Sequence, residues 1–86
     1  MPEICRFYGI VIRMYFREHG RPHFHAEYGG RKASVRIEDL RVIEGRLTPR
    51  AERMVLEWAK QHRRELEQAW QRVERHQDPG KIAPLE

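Results

Sequence analysis

Two histidines and a glutamate alternate along one short segment of the sequence, His23-Phe24-His25-Ala26-Glu27. In a β-strand, side chains two residues apart point to the same face, so His23, His25 and Glu27 would project together. Imidazole and carboxylate groups gathered in this way can exchange protons, ligate a metal or hold a charged partner. This segment is therefore the first candidate for a functional surface.

A hairpin signal predicts which residues lie beside this segment. Gly29-Gly30 separates it from residues 31–37, and a two-residue Gly-Gly loop favours a type I′ turn because both positions need positive φ. On the apolar face, the turn predicts that Phe24 faces Val35 and that Ala26 faces Ala33. On the other face, the turn predicts three cross-strand pairs: His23 with Arg36, His25 with Ser34, and Glu27 with Lys32. Opposite charges facing each other across the ladder would stabilise the pairing.

Residues 9–16 also alternate in the manner of a strand, with Ile10, Ile12, Met14 and Phe16 on one side. A polar loop over residues 17–22 follows. If this strand pairs beside the hairpin, Arg13 and Tyr15 join the histidines. The predicted binding face, called the polar face below, then consists of Arg13, Tyr15, His23, His25, Glu27, Lys32, Ser34 and Arg36.

Several chemistries fit the polar face. A metal-independent ribonuclease would use His23 and His25 as the catalytic acid and base, with arginine stabilising the phosphorane-like charge. A metal site would draw on His23, His25 and Glu27, although Arg36 and Lys32 would repel a cation, and we expect no cofactor. A binding module would hold phosphate groups or acidic side chains of a partner. The plain alternative is a polar sheet surface without a dedicated ligand. We favour the binding module, whether its partner is a protein or a nucleic acid.

The fold class predicted from these patterns is α+β: an antiparallel sheet of three to four strands over residues 4–45, covered on one face by a single long C-terminal helix. The fourth strand is short, Val42–Gly45. Thr48-Pro49 predicts the helix start, with Thr as N-cap and Pro at the first helical position. Apolar residues then recur at helical spacing until about residue 76. A tail over residues 77–86 completes the single domain.

The predicted helix over residues 49–76 is longer than the sheet it covers. It would measure roughly 40 Å, whereas an eight-residue strand reaches only about 26 Å. Trp70 and Val73 lie in the predicted overhang and need a cover. A homodimer or a partner bound at this helix end would provide one, and the alternative cover is the tail, docked through Ile82 and Leu85.

Composition narrows the setting of the chain. Of its 86 residues only Cys5 is a cysteine, which is typical of a reducing compartment, so we expect a cytoplasmic protein. No secretory signal and no apolar run of about 20 residues is found, so we expect no membrane contact. The net charge of +4 lies entirely in residues 1–50, mostly as arginine, and arginine favours anionic partners.

The sequence also resembles the bacterial family catalogued as domain of unknown function 4160. The resemblance rests on residues 6–15, on Pro22-His23-Phe24-His25-Ala26-Glu27-Tyr28-Gly29-Gly30 and on residues 81–85, with Pro-His-Phe-His as its most specific part. Members are small proteins often encoded beside another short domain. The resemblance implies a bacterial cytosolic setting and a small protein partner encoded nearby, in a two-gene module such as a toxin–antitoxin pair. It implies no catalytic residue.

Overall fold

The structure, a computed structural model, describes residues 2–16 and 20–86. The described residues form an α+β domain with a five-stranded antiparallel sheet in the order β1-β2-β3-β4-β5, followed by two helices. The predicted loop at 17–22 falls partly on residues 17–19, which lie outside the described part. The elements are β1 Glu3–Phe7, β2 Ile10–Arg13, β3 His23–Tyr28, β4 Arg31–Arg36, β5 Arg41–Gly45, α1 Pro49–Gln61 and α2 Arg63–Glu74.

The β3–β4 hairpin has the predicted register throughout, from Tyr28 opposite Arg31 to His23 opposite Arg36. Gly29 and Gly30 both have positive φ, 56° and 78°, as a type I′ turn requires. Phe24 and Val35 lie on the buried face of the pair. The turn chemistry and the alternation of apolar residues therefore select the same pairing.

The sheet has one strand more than predicted, because β1 was not recognised. Its burial does not alternate: Ile4 and Cys5 are adjacent and both buried. A β-bulge between Glu3 and Cys5 in the pairing with β2 accounts for this pattern, since a bulge interrupts the two-residue period. The predicted strand 9–16 is shorter than expected, and Phe16 is exposed beyond its end.

The single long helix predicted from the sequence is wrong, because the helix is broken at His62. Thr48 caps α1 as predicted, its hydroxyl accepting a hydrogen bond from the Ala51 N–H at 3.2 Å. The 13 residues of α1 span about 20 Å, which is also about the length of a six-residue strand such as β3. The break therefore ends α1 where the sheet ends. Arg63, the first residue of α2, donates hydrogen bonds to the backbone carbonyls of Ile37 and Glu38.

The predicted overhang does not exist. Trp70 is 4% exposed and Val73 is 2% exposed, both within the hydrophobic core. The tail closes the same core, since Ile82 is buried there and Leu85 packs against it, as the tail alternative predicted. The Ile82 N–H donates to the carbonyl of Ile4 at 2.8 Å, along the outer edge of β1.

Trp58 lies at the centre of the core and is fully buried. Its ring contacts Phe7 and Phe24 at centroid distances of 5.5 and 5.8 Å. Its indole N–H donates to the carbonyl of Ala83 at 2.8 Å, so the tail satisfies the one polar atom of this side chain. Among the described residues, no helix is both long and apolar enough to cross a membrane.

Candidate binding face

The polar face is assembled by strand register, as predicted. Arg13 lies opposite His25, and His25 lies opposite Ser34. The same row extends to both edges of the sheet, to Glu3 on β1 and Glu44 on β5. Sequence reasoning missed these two carboxylates because β1 was not recognised and a bulge in the β4–β5 pairing shifts the register of β5.

Aromatic rings form a continuous row along this face, which we call the ring row. The ring of His25 contacts those of Tyr15 and His23 at centroid distances of 4.6 and 5.1 Å, both nearly edge to face. His23 in turn lies 5.2 Å from the ring of Trp70. Edge-to-face ring contacts contribute about 0.5–1.5 kcal/mol each, so they hold the rings in place. Trp70 was predicted to lie beyond the sheet, and only the break at His62 brings it here.

Hydrogen bonds orient both imidazoles. Nδ1 of His25 lies 3.1 Å from the Ser34 hydroxyl, which is 6% exposed and therefore shielded by its neighbours. Nδ1 of His23 lies 2.9 Å from the carbonyl oxygen of Arg21. Because a carbonyl only accepts, this nitrogen carries the proton, and Nε2 is the basic nitrogen of the neutral His23 ring.

Both arginines of the polar face are paired with nearby carboxylates. Nε of Arg13 lies 3.3 Å from a carboxylate oxygen of Glu27. Glu27 therefore pairs with Arg13 and not with Lys32, the partner that the cross-strand register suggested. Arg36 grips Asp39 through two hydrogen bonds of 2.9 and 2.6 Å. These bonds lower the pKa of the Asp39 carboxyl from 3.8 to about 2. Two of the predicted anion-binding arginines thus already hold carboxylates.

Metal-ligating side chains do not gather on the polar face. Within residues 2–16 and 20–86, no group of three His, Cys, Asp or Glu side chains could hold a metal ion. His23, His25 and Glu27 share the face as predicted, but Glu27 is committed to the Arg13 guanidinium. Cys5 is buried in the core, where burial raises the pKa of its thiol.

Fold and site together define a small α+β domain, in which a five-stranded antiparallel sheet is followed by two helices and carries a polar face whose ring row includes Trp70 of α2. The chain belongs to the family described as Domain of unknown function (DUF4160), whose family model matches residues 9–71. The matched residues include every member of the polar face. The family resemblance drawn from the sequence is therefore confirmed. Neither the curated proteins nor the solved structures contain a match to this chain.

Proposed function

We propose that this chain is a bacterial cytoplasmic binding module that recognises a partner protein through the polar face. The observation that supports this most directly is the ordering of the face by its own contacts. The ring row, the Arg13–Glu27 pair and the Ser34–His25 hydrogen bond hold side chains in place before any partner arrives. A pre-ordered surface loses little side-chain entropy on binding. Tyrosine and arginine are also enriched among the residues that contribute most to protein interfaces.

The paired charges favour a protein over a polyphosphate as the partner of this face. Binding to nucleic acid draws its affinity from cations that replace condensed counterions. Here Arg13 and Arg36 already neutralise carboxylates, and Glu3 and Glu44 lie in the central row. A surface of mixed charge suits a protein with complementary charges, which would select one partner and one orientation.

The partner that we propose is the small protein implied by the family resemblance, encoded nearby in a toxin–antitoxin-like pair. The sequence-based argument for a homodimer depended on exposure of Trp70 and Val73, which are buried. We therefore place the partner on the polar face and not on the helix end.

The test is the affinity of the purified chain for the protein encoded beside it, measured by titration calorimetry. His25→Ala should weaken binding at least about tenfold, the effect of removing one central interface residue. The matched control is Arg64→Ala on α2, because Arg64 is exposed and forms no ion pair with any residue that the structure describes. If a folded variant with alanine at His23, His25 and Arg36 binds the partner with unchanged affinity, the polar face is not the binding site.

A metal-independent ribonuclease is the second candidate, favoured by the 5.1 Å contact between the rings of His23 and His25. Two neighbouring imidazoles can serve as general acid and general base. Purified protein should be incubated with RNA and a chelator, wild type beside His23→Ala and His25→Ala. Cleavage by the wild type alone would establish the enzyme, whereas the binding module predicts no cleavage by any of the three.

A further inference from the structure

Both two-residue hairpin turns lie at one end of the sheet, which we call the turn end. Tyr8-Gly9 connects β1 to β2, and Gly29-Gly30 connects β3 to β4. Because consecutive strands are antiparallel neighbours, the two turns share an end with the connection from β5 to α1. The polar face extends from this end, where Lys32 lies, to the opposite end, where His23 and Arg36 lie.

Tyr8 has a left-handed backbone conformation, which tyrosine rarely adopts. Its φ is 48°, and with Gly9 at φ 82° it forms a turn of the type I′ kind, whose first position prefers Asn, Asp or Gly. Its side chain is 60% exposed, so it gains little from burial. Neither the turn nor the core therefore accounts for an aromatic residue here. Backbone strain of this kind is concentrated at functional sites.

A second tyrosine and three cations lie at the turn end with Tyr8. One depression is lined by Tyr8, Tyr28 and Arg50 together with the first turn of α1. A second depression is lined by Tyr28, Arg31 and Lys32, by Glu27, and by the glycines of both turns. Tyr28 lines both depressions, so the two depressions adjoin at this residue.

The cations of the turn end, which include Lys32 of the polar face, differ from Arg13 and Arg36 in their pairing. Arg31, Lys32 and Arg50 are exposed, and none forms an ion pair with any residue in 2–16 or 20–86. Two nearby acidic side chains are already engaged, Glu27 by Arg13 and Glu52 by the Leu47 N–H. A third, Glu44, lines a depression together with Lys32. The positive charges of Arg31 and Arg50 are therefore not compensated by an ion pair with any described residue.

We propose that the turn end binds single-stranded nucleic acid. Tyr8 and Tyr28 would stack on bases, while Arg31, Lys32 and Arg50 contact phosphates. Stacking platforms interleaved with unpaired cations are the common device for binding single strands without sequence preference. A duplex would keep its bases stacked inside and leave the exposed Tyr8 ring unused. This surface meets the polar face at Lys32 and lies at the opposite end of the hairpin from His23.

The test is fluorescence anisotropy with a labelled single-stranded oligonucleotide of mixed sequence, about 12 nucleotides long, as RNA and as DNA. Binding should weaken as salt is added. Tyr8→Asn should lower affinity about tenfold, the effect of losing one stacked base. Its thermal midpoint should be no lower than that of wild type, because asparagine suits the turn. In the Arg31→Ala, Arg50→Ala double variant, the slope of the logarithm of the affinity against the logarithm of the salt concentration should be smaller by about 1.4. Each phosphate that the protein no longer neutralises accounts for about 0.7 of this change.

Arg64→Ala and His25→Ala should both leave oligonucleotide binding unchanged, which separates this site from the part of the polar face around His25. Unchanged affinity in Tyr8→Asn would overturn the proposal. So would the absence of any binding at low salt. Competition by poly-glutamate as effective as that by the oligonucleotide would assign the turn end to an acidic protein instead, and would equally overturn it.

Discussion

At the scale of single residues, the Arg36–Asp39 pair makes the fold sensitive to acid. The folded-state pKa of Asp39 is about 2, below its ordinary value of 3.8. The pair therefore stabilises the folded chain above about pH 4, and this contribution is lost as the pH falls towards 2. Asp39→Asn should lower the free energy of unfolding at neutral pH, with a difference from wild type that shrinks between about pH 4 and 2. Urea unfolding followed by circular dichroism at a series of pH values measures this.

The control for that series is Glu57→Gln, because Glu57 is exposed on α1 and has no ion pair among the described residues. Glu57→Gln should change the free energy of unfolding by less than about 0.5 kcal/mol, as surface substitutions without such contacts do. If Asp39→Asn lowers the free energy of unfolding by the same amount at every pH, the Arg36–Asp39 ion pair does not stabilise the fold in the way that its geometry implies.

At the scale of elements, Arg63 attaches α2 to the end of β4. Its guanidinium donates to the carbonyls of Ile37 and Glu38, two acceptors left at the end of the strand. Hydrogen bonds from a charged donor stabilise more than neutral ones, and partial exposure reduces the effect here. Arg63→Ala should therefore lower the free energy of unfolding by about 1–2 kcal/mol in chemical denaturation. The adjacent Arg64→Ala, without such contacts, should change it by less than about 0.5 kcal/mol. Equal effects of the two would contradict this attachment.

At the scale of the whole molecule, the tail completes the core. It contributes buried Ile82, a backbone bond to β1 and the acceptor for the Trp58 indole. Burial of Ile82 contributes about 1.5–3 kcal/mol, and the indole hydrogen bond about 1 kcal/mol. Truncation after Asp78 should therefore lower the free energy of unfolding by about 2.5–4 kcal/mol, a large fraction of the total for a small domain.

Light scattering on the same truncated chain should show association, because removal of the tail uncovers apolar surface beside β1. Truncation after Pro84 removes only Leu85 and Glu86 and should cost much less. If the chain shortened after Asp78 is as stable as the full chain, the tail is not part of the core.

The sequence by itself determined the features that depend on near neighbours in the chain. The β3–β4 register follows from the Gly29-Gly30 turn and the alternation of the residues around it. The start of α1 follows from Thr48-Pro49. Six members of the polar face lie on β3 and β4, so most of the candidate site could be predicted without the structure.

Only the tertiary structure decided where the helix breaks and which distant residues reach the polar face. The apolar stripe continues through His62, so no local signal marks the break there. The position of the break depends on the length of the sheet, which is formed earlier in the chain, and on the backbone carbonyls to which Arg63 donates hydrogen bonds. The break brings Trp70 against His23, and the β1 bulge at Ile4 hides the strand that carries Glu3. These outcomes depend on packing between elements far apart in sequence, which residue patterns within one element cannot report.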